Sequence, residues 1–252
     1  AKLSPQVQAW FYSAGLVVAE GYGLTETGAV SCVNLPLPPR FGTVGPALPG
    51  TQIRIADDGE VLIKGPAVMR GYHNDPERTA EVLVDGWFHT GDIGKLDADG
   101  FLTITDRKKD LMKTSGGKYV APAKVEGVIA ATIPYVSQVV AVGDGRKYIS
   151  ALITMDRDNL AKWAARKGLT DLSYEELTKS DELRRTIERF IHSANAKLER
   201  WETVKRFAIL PAEFSVDDGG VTPNMKIRRK VVTEQYADVV ASLYEDDAVD
   251  EG

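Results

Sequence analysis

A change of period along the chain limits its fold more than any other feature of the sequence. Up to about residue 105, short β-branched or alternating runs are separated by Gly and Pro; from about residue 156, apolar residues recur at helical spacing. The chain therefore reads as a mixed α and β protein in more than one piece. It has no internal repeat and no low-complexity tract.

The runs place the elements. Residues 17–23 predict a strand ending in a glycine loop, and 53–55, 60–64 and 101–105 predict half-buried strands. Asp57-Asp58-Gly59 and Asp97-Ala98-Asp99-Gly100 carry hairpin-turn chemistry. Asp75-Pro76-Glu77 supplies an N-cap, a first-turn proline and an acid, so a helix is expected from there to about Leu83. A second piece, 106–155, predicts a helix from Pro122 and two strands, 136–143 and 149–155, joined at Gly143-Asp144-Gly145. The third, 156–252, predicts helices over 156–167, 180–198 and 230–244 and a strand near 206–210, with a fraying acidic tail from Glu245 to Glu251.

Composition removes several classes. With 252 residues, 43% hydrophobic and 27% charged, the chain can bury a sizeable core and is neither disordered, collagen-like nor a coiled coil. No apolar run approaches the ~18 residues of a membrane span. The lone Cys32 forms no intrachain disulfide, and a net charge of −5 argues against a broad nucleic-acid-binding surface. The opening Ala1-Lys2-Leu3-Ser4 has no signal-sequence character and reads as a boundary within a longer protein.

Four runs carry chemistry. In Tyr22-Gly23-Leu24-Thr25-Glu26-Thr27-Gly28, glycines allow close approach of a ligand, threonine hydroxyls suit phosphate, and the Glu26 carboxylate is a hard donor for Mg²⁺; the run also reads as a polar hairpin turn. In Gly86-Trp87-Phe88-His89-Thr90-Gly91-Asp92, the carboxylate can accept from vicinal ribose hydroxyls or simply cap a turn; His89 has no evident partner and receives no catalytic role. The run from Thr105 to Lys118, with Asp106-Arg107-Lys108-Lys109-Asp110 and Gly116-Gly117, reads either as a solvated charged turn or as a linker whose cations meet an anionic ligand. Thr222-Pro223-Asn224-Met225-Lys226 places a lysine on a loop before a helix, able to swing into a site as a point charge; a basic helix start or nucleic-acid patch is the other reading.

In order and spacing these runs resemble the adenylate-forming acyl-CoA synthetase superfamily. So do Gly42-Thr43-Val44-Gly45-Pro46 and Gly59-Glu60-Val61-Leu62-Ile63-Lys64-Gly65-Pro66, and the resemblance extends over nearly the whole chain. Thr222–Lys226, Gly116-Gly117-Lys118-Tyr119-Val120-Ala121-Pro122 and the helical insert at 156–200 resemble the long-chain fatty acid–CoA ligase branch most closely. Asn224-Met225 stands where other branches carry small residues before the lysine.

The resemblance implies a multidomain α+β or α/β fold. Residues 1–105 would be the tail and β-rich subdomain of a large adenylation domain, Asp106 the hinge, and 106–252 a small mobile α+β C-terminal domain. It implies ATP, Mg²⁺ and CoA as cofactors or substrates, a fatty acid as the acid, and two half-reactions through acyl-AMP. Tyr22 would lie at the adenine, Thr25 at phosphate, Glu26 at Mg²⁺, Asp92 and Arg107 at the ribose, with Gly23 also among the cofactor-binding residues. Lys226 would act in adenylation, Gly117 would line the CoA path, and Lys118 would be a cofactor-binding residue. The superfamily's Ser/Thr/Gly-rich phosphate loop has no counterpart here, so the expectation is a C-terminal portion, inactive alone, whose missing N-terminal part completes the site. The expected setting is cytoplasmic, with peripheral membrane contact open to the whole enzyme and no nucleic-acid partner. The competing readings are a fatty acyl-AMP ligase that loads a carrier protein, disfavoured because no extra segment lies between Asp110 and Pro122, and a non-catalytic binding module.

Overall fold

The turn chemistry of the first hundred residues builds a five-stranded antiparallel sheet and a separate two-stranded ladder. The structure is a computed structural model that describes residue 3 and residues 5–35, 39–224 and 226–245, and the chain divides into two compact units, residues 1–110 and 111–252. The first unit opens with helix α1 (Pro5–Ser13), followed by the two-residue strands β1 (Gly21–Tyr22) and β2 (Cys32–Val33). The strand expected over 17–23 shortens to β1: the Val18 carbonyl is taken by the side chain of Gln8 at 3.0 Å, and the ladder to β2 reaches only from Gly21 to Tyr22.

Strands β3 (Gln52–Ile55) and β4 (Glu60–Lys64) then form a hairpin closed by Gly59, in the left-handed region at φ 87°. Helix α2 (Pro76–Val82) starts as its sequence requires, with Asp75 Oδ1 accepting the Arg78 N–H at 3.0 Å and Pro76 at the first position. Strands β5 (Leu83–Val84), β6 (Trp87–Leu96) and β7 (Leu102–Arg107) complete the sheet. Its order is β3-β4-β6-β5, with β7 also on β6. Cys32, Val44, Val61, Ile63 and Leu102 form its core. The long β6 is absent from the sequence reading. Its side chains do alternate in burial, but the buried positions after Phe88 are Thr90, Asp92 and Gly94, which hide the pattern from a hydrophobicity count.

The charged run after Thr105 crosses from the first unit to the second, the division falling between Asp110 and Leu111. Asp106 and Arg107 finish β7, and Lys108–Asp110 form a 3₁₀ turn. In the second unit, β8 (Met112–Lys113) and β9 (Tyr119–Val120) make a small hairpin, and helix α3 (Pro122–Thr132) follows. Strands β10 (Val136–Val142) and β11 (Ile149–Met155) pair antiparallel across the Gly143-Asp144-Gly145 turn. Helices α4 (Arg157–Lys167), α5 (Tyr174–Lys179) and α6 (Asp181–Asn195) lead to β12 (Val204–Ile209), which pairs parallel with β11. A parallel pairing needs such a crossover, and this is where the helical stretch goes.

Sheet order β10-β11-β12 leaves β11 central and buried throughout. Val139 and Ala141 join Ile129, Leu160 and Ile187 in one cluster, while Val140 and Val142 join Leu210, Phe214 and Val232 in another, so helices cover both faces. Helix α6 buries Leu183, Thr186, Ile187, Ile191 and Ala194, a single helical stripe. The expected last helix is two: α7 (Arg229–Gln235) and α8 (Ala237–Ser242), parted at Tyr236, whose ring packs edge-on against Phe214. The short α5, missed in the sequence, is nucleated by a Ser173–Glu176 capping box. Residues 246–251 of the acidic tail lie outside the described residues. Among the described residues no helix is long and apolar enough to cross a membrane.

Candidate functional site

The loop after β1 is organised from within by Thr27. Its hydroxyl is buried and bonds both Leu24 and Ser31, and the Thr25–Thr27 3₁₀ turn ends at Gly28 with φ 71°. Ser31 N–H returns to the Tyr22 carbonyl at 2.7 Å, closing the loop. Gly23 is obligatory here: a Cβ on it would lie 1.9 Å from the Ala29 carbonyl oxygen. With Thr27 turned inward, Thr25 and Glu26 face outward into an open cleft of about 760 Å³, lined by Gly23, Leu24, Thr25, Glu26, Gly28, Ala29 and Arg107.

Glu26 is fixed at two points. Its carbonyl accepts the Met69 N–H at 2.7 Å, and its Oε1 accepts the Tyr72 hydroxyl at 2.9 Å. Burial, and then the Glu26 carboxylate, raise the Tyr72 phenol above its ordinary value, so it stays a donor. Among the described residues there is no cluster of three or more His, Cys, Asp or Glu able to hold a metal unaided. A single hard carboxylate on a cleft wall fits Mg²⁺, which keeps waters and shares its coordination with substrate phosphates.

Behind the cleft lies Asp92, only 4% exposed. Register puts it directly opposite Arg107 across β6 and β7. Its Oδ1 takes Arg107 Nε at 2.7 Å, and its Oδ2 takes the Tyr22 hydroxyl at 2.6 Å. Burial, reinforced by the Asp92 bond, pushes the Tyr22 phenol far above its ordinary value, which keeps the proton on Tyr22. A carboxylate offers about four acceptor sites, so Asp92 retains capacity for further donors such as a pair of hydroxyls.

Two participants escaped the sequence reading. Glu60, inside the Glu60–Lys64 strand, is 4% exposed and binds the Gly91 N–H, His89 Nδ1 and Lys108 Nζ at 2.9, 3.0 and 2.9 Å. Its burial works against ionisation, yet these bonds from Lys108, His89 and Gly91 hold its carboxyl below the usual range. His89 therefore has a partner, and that partner is structural. A charge at the head of the apolar run Val61-Leu62-Ile63 was the available signal for Glu60; Tyr72 carried none.

Tyr22, Gly23, Thr25, Glu26, Asp92 and Arg107 thus gather in the first unit. The remaining candidates sit on loops of the second. Gly117 is the left-handed residue of the β8–β9 turn, at φ 77°, with its N–H on the Thr114 carbonyl at 2.8 Å and open space where a Cβ would project. Lys118 is exposed, its ammonium 5.4 Å from the centre of the Trp201 ring. Lys226 is exposed on a loop cinched by the Val221–Ile227 bridge, and Thr222 bonds its backbone on both sides, N–H and carbonyl, at 3.0 and 2.8 Å.

The chain is 42% identical to the long-chain-fatty-acid–CoA ligase FadD15 of Mycobacterium bovis over 97% of its own length and 41% of the relative's. It is 36% identical to human long-chain-fatty-acid–CoA ligase 1 over 89% of its length and 34% of that protein. It thus spans about two-fifths of the length of the first of these curated relatives and a third of the other. Among solved structures, the ATP-bound RpMatB–BxBclM chimera superposes with a TM-score of 0.70 at 26% identity, covering 95% of this chain and 45% of that one. Apo MatB from Rhodopseudomonas palustris superposes with a TM-score of 0.64 at 28% identity and the same coverage. The family model of the AMP-binding enzyme matches residues 1–73, and that of the AMP-binding enzyme C-terminal domain matches residues 109–248, more than half of the chain. The chain belongs to the AMP-binding enzyme family.

Proposed function

We propose that these residues form one face of the catalytic machinery of an ATP-dependent long-chain fatty acid–CoA ligase. The observation that carries this reading is the Tyr22–Asp92–Arg107 group beside a cleft walled by Thr25 and Glu26. In the first half-reaction a fatty acid carboxylate oxygen bonds to the α-phosphorus of ATP and pyrophosphate leaves. In the second the CoA thiol gives up its proton to solvent, its sulfur bonds to the acyl carbon and AMP leaves. Asp92 and Arg107 hold the ribose, the Tyr22 ring lies against the base, and Thr25 bonds phosphate. Glu26 would hold Mg²⁺, which when bound neutralises phosphate charge.

A carboxylate nucleophile needs no general base, and His89 is occupied with Glu60, so the first half-reaction runs on positioning and charge. Lys226 offers a point charge to the carboxylate and α-phosphate. The Lys226 loop serves the first half-reaction and the Gly117 turn the second. The names of the relatives support a long-chain acid and CoA, and the ATP-bound chimera supports the nucleotide.

The test is ATP–pyrophosphate exchange by the full-length protein. Exchange should require a long-chain fatty acid and Mg²⁺, and Asp92→Ala should abolish it. Exchange without fatty acid, or undiminished exchange by Asp92→Ala, would overturn the reading.

A further inference from the structure

Strand β6 is irregular just where it carries Asp92. Its pairing with β4 jumps between the Glu60–Ile93 and Leu62–His89 partners, and its pairing with β7 shifts between Ile93 and Gly94. Gly91 adopts φ 69° within this stretch. Bulges of this kind re-aim a side chain at the expense of ladder hydrogen bonds, so something else must fix the backbone there.

Glu60 does so. Its Oε1 accepts the Gly91 N–H, the residue before Asp92. Its Oε2 binds Lys108, the residue after Arg107. Lys108 also reaches Asp58 Oδ2 at 2.7 Å, and Asp58 Oδ1 accepts the Glu60 N–H at 3.0 Å, so the acid pair is itself tied together. One buried carboxylate thus grips the neighbour of each member of a cross-strand ion pair. If stabilising the fold were its only role, an apolar residue of similar volume would serve as well, because burying a charge is costly unless every partner is in place.

We propose that Glu60 is a positioning residue for nucleotide binding, clamping Gly91 and Lys108 so that Asp92 and Arg107 meet the ribose in fixed register. This rests on the reading of Asp92 and Arg107 as the ribose contacts. Lys108 is the clamp's removable half: losing it frees Arg107 while leaving Gly91 held.

AMP titrated calorimetrically into the intact protein tests this with a double-mutant cycle of Glu60→Gln and Asp92→Asn. Each single variant should weaken AMP binding about tenfold, the scale of a hydrogen bond to a charged group. The double variant should bind no more weakly than Asp92→Asn, because Glu60 acts through Asp92. The KM for fatty acid should stay unchanged, which a general loosening of the fold would not spare. Additive losses, a shifted fatty-acid KM, or AMP affinity untouched by Glu60→Gln while Asp92→Asn weakens it, would each overturn the positioning role. If Asp92→Asn itself leaves AMP affinity unchanged, the ribose assignment falls and takes this inference with it. Should Glu60→Gln fail to fold, Lys108→Met enters the same cycle. A several-fold loss absent from the Asp92→Asn background is then expected, and an additive loss or none refutes the clamp.

Discussion

Tyr22 and Asp92, 70 residues apart, share a 2.6 Å hydrogen bond in which the phenol donates to a carboxylate that is almost wholly buried. The bond joins the end of β1 to the middle of β6, and it sets where the Tyr22 ring can lie.

Tyr22→Phe keeps the ring and removes the donor. Asp92 Oδ2 then loses a partner in a buried setting, at about 1.5–3 kcal/mol. Denaturant unfolding should report that loss. AMP affinity should fall less in Tyr22→Phe than in Tyr22→Ala, because the ring face survives. Equal affinities in the two variants would separate the ring from the base.

Gly23→Ala places a methyl against backbone, 1.9 Å from the Ala29 oxygen and 2.7 Å from Val30 Cα, where no rotamer can relieve it. The loop must shift, and overpacking of this kind costs about 1–3 kcal/mol. We expect a lowered melting temperature together with loss of AMP binding. Unchanged thermal stability would show that the loop tolerates a different path.

The clamp also fixes a pH window. Hydrogen bonds from Lys108, His89 and Gly91, which outweigh its burial, hold Glu60 low, and Lys108 with the Glu60 N–H does the same for Asp58; both carboxyls stabilise the fold once ionised. That contribution is complete above their unfolded values of about 4 and is lost as pH falls through the depressed folded values. Lys108 is raised, chiefly by Asp58 and then Glu60, so its share is complete below about 10.4 and is lost as pH rises through the folded value. The stability gap between the native protein and Glu60→Gln should therefore be flat from about pH 5 to 10. It should shrink on either side, as measured by urea unfolding across pH; a gap that widens on acidification contradicts this assignment.

Lys226 and Gly117 should divide the two half-reactions. Lys226→Ala should slow acyl-AMP formation by roughly 10²–10³ and leave thioester formation from supplied acyl-AMP nearly intact. Gly117→Leu should do the reverse. Gly117 sits at φ 77°, so any side chain strains the turn by roughly 1–2 kcal/mol, and Gly117→Ala is the control that carries the strain without the bulk. If both substitutions slow both halves equally, the two loops do not alternate.

Much of the architecture is local and was legible in the sequence. Asp75-Pro76, the Asp57–Gly59 turn, the helix over 156–167 and the helical stripe of α6 each depend on a few consecutive residues whose conformational preferences act alone. The motif runs likewise named the residues that gather at the cleft. Pairing across distance was not legible. Strand β6 was invisible because its buried positions after Phe88 are polar or glycine, a choice that makes sense only once Tyr22, Arg107 and Glu60 surround it. His89 had no partner in sequence because its partner lies 29 residues away on β4, and Tyr72 reaches Glu26 over 46. Periodicity and capping are short-range properties of a chain, and one sequence carries them openly. Which buried acid meets which donor depends on strand register and on bulges that shift it by a single residue, and only the folded sheet decides that.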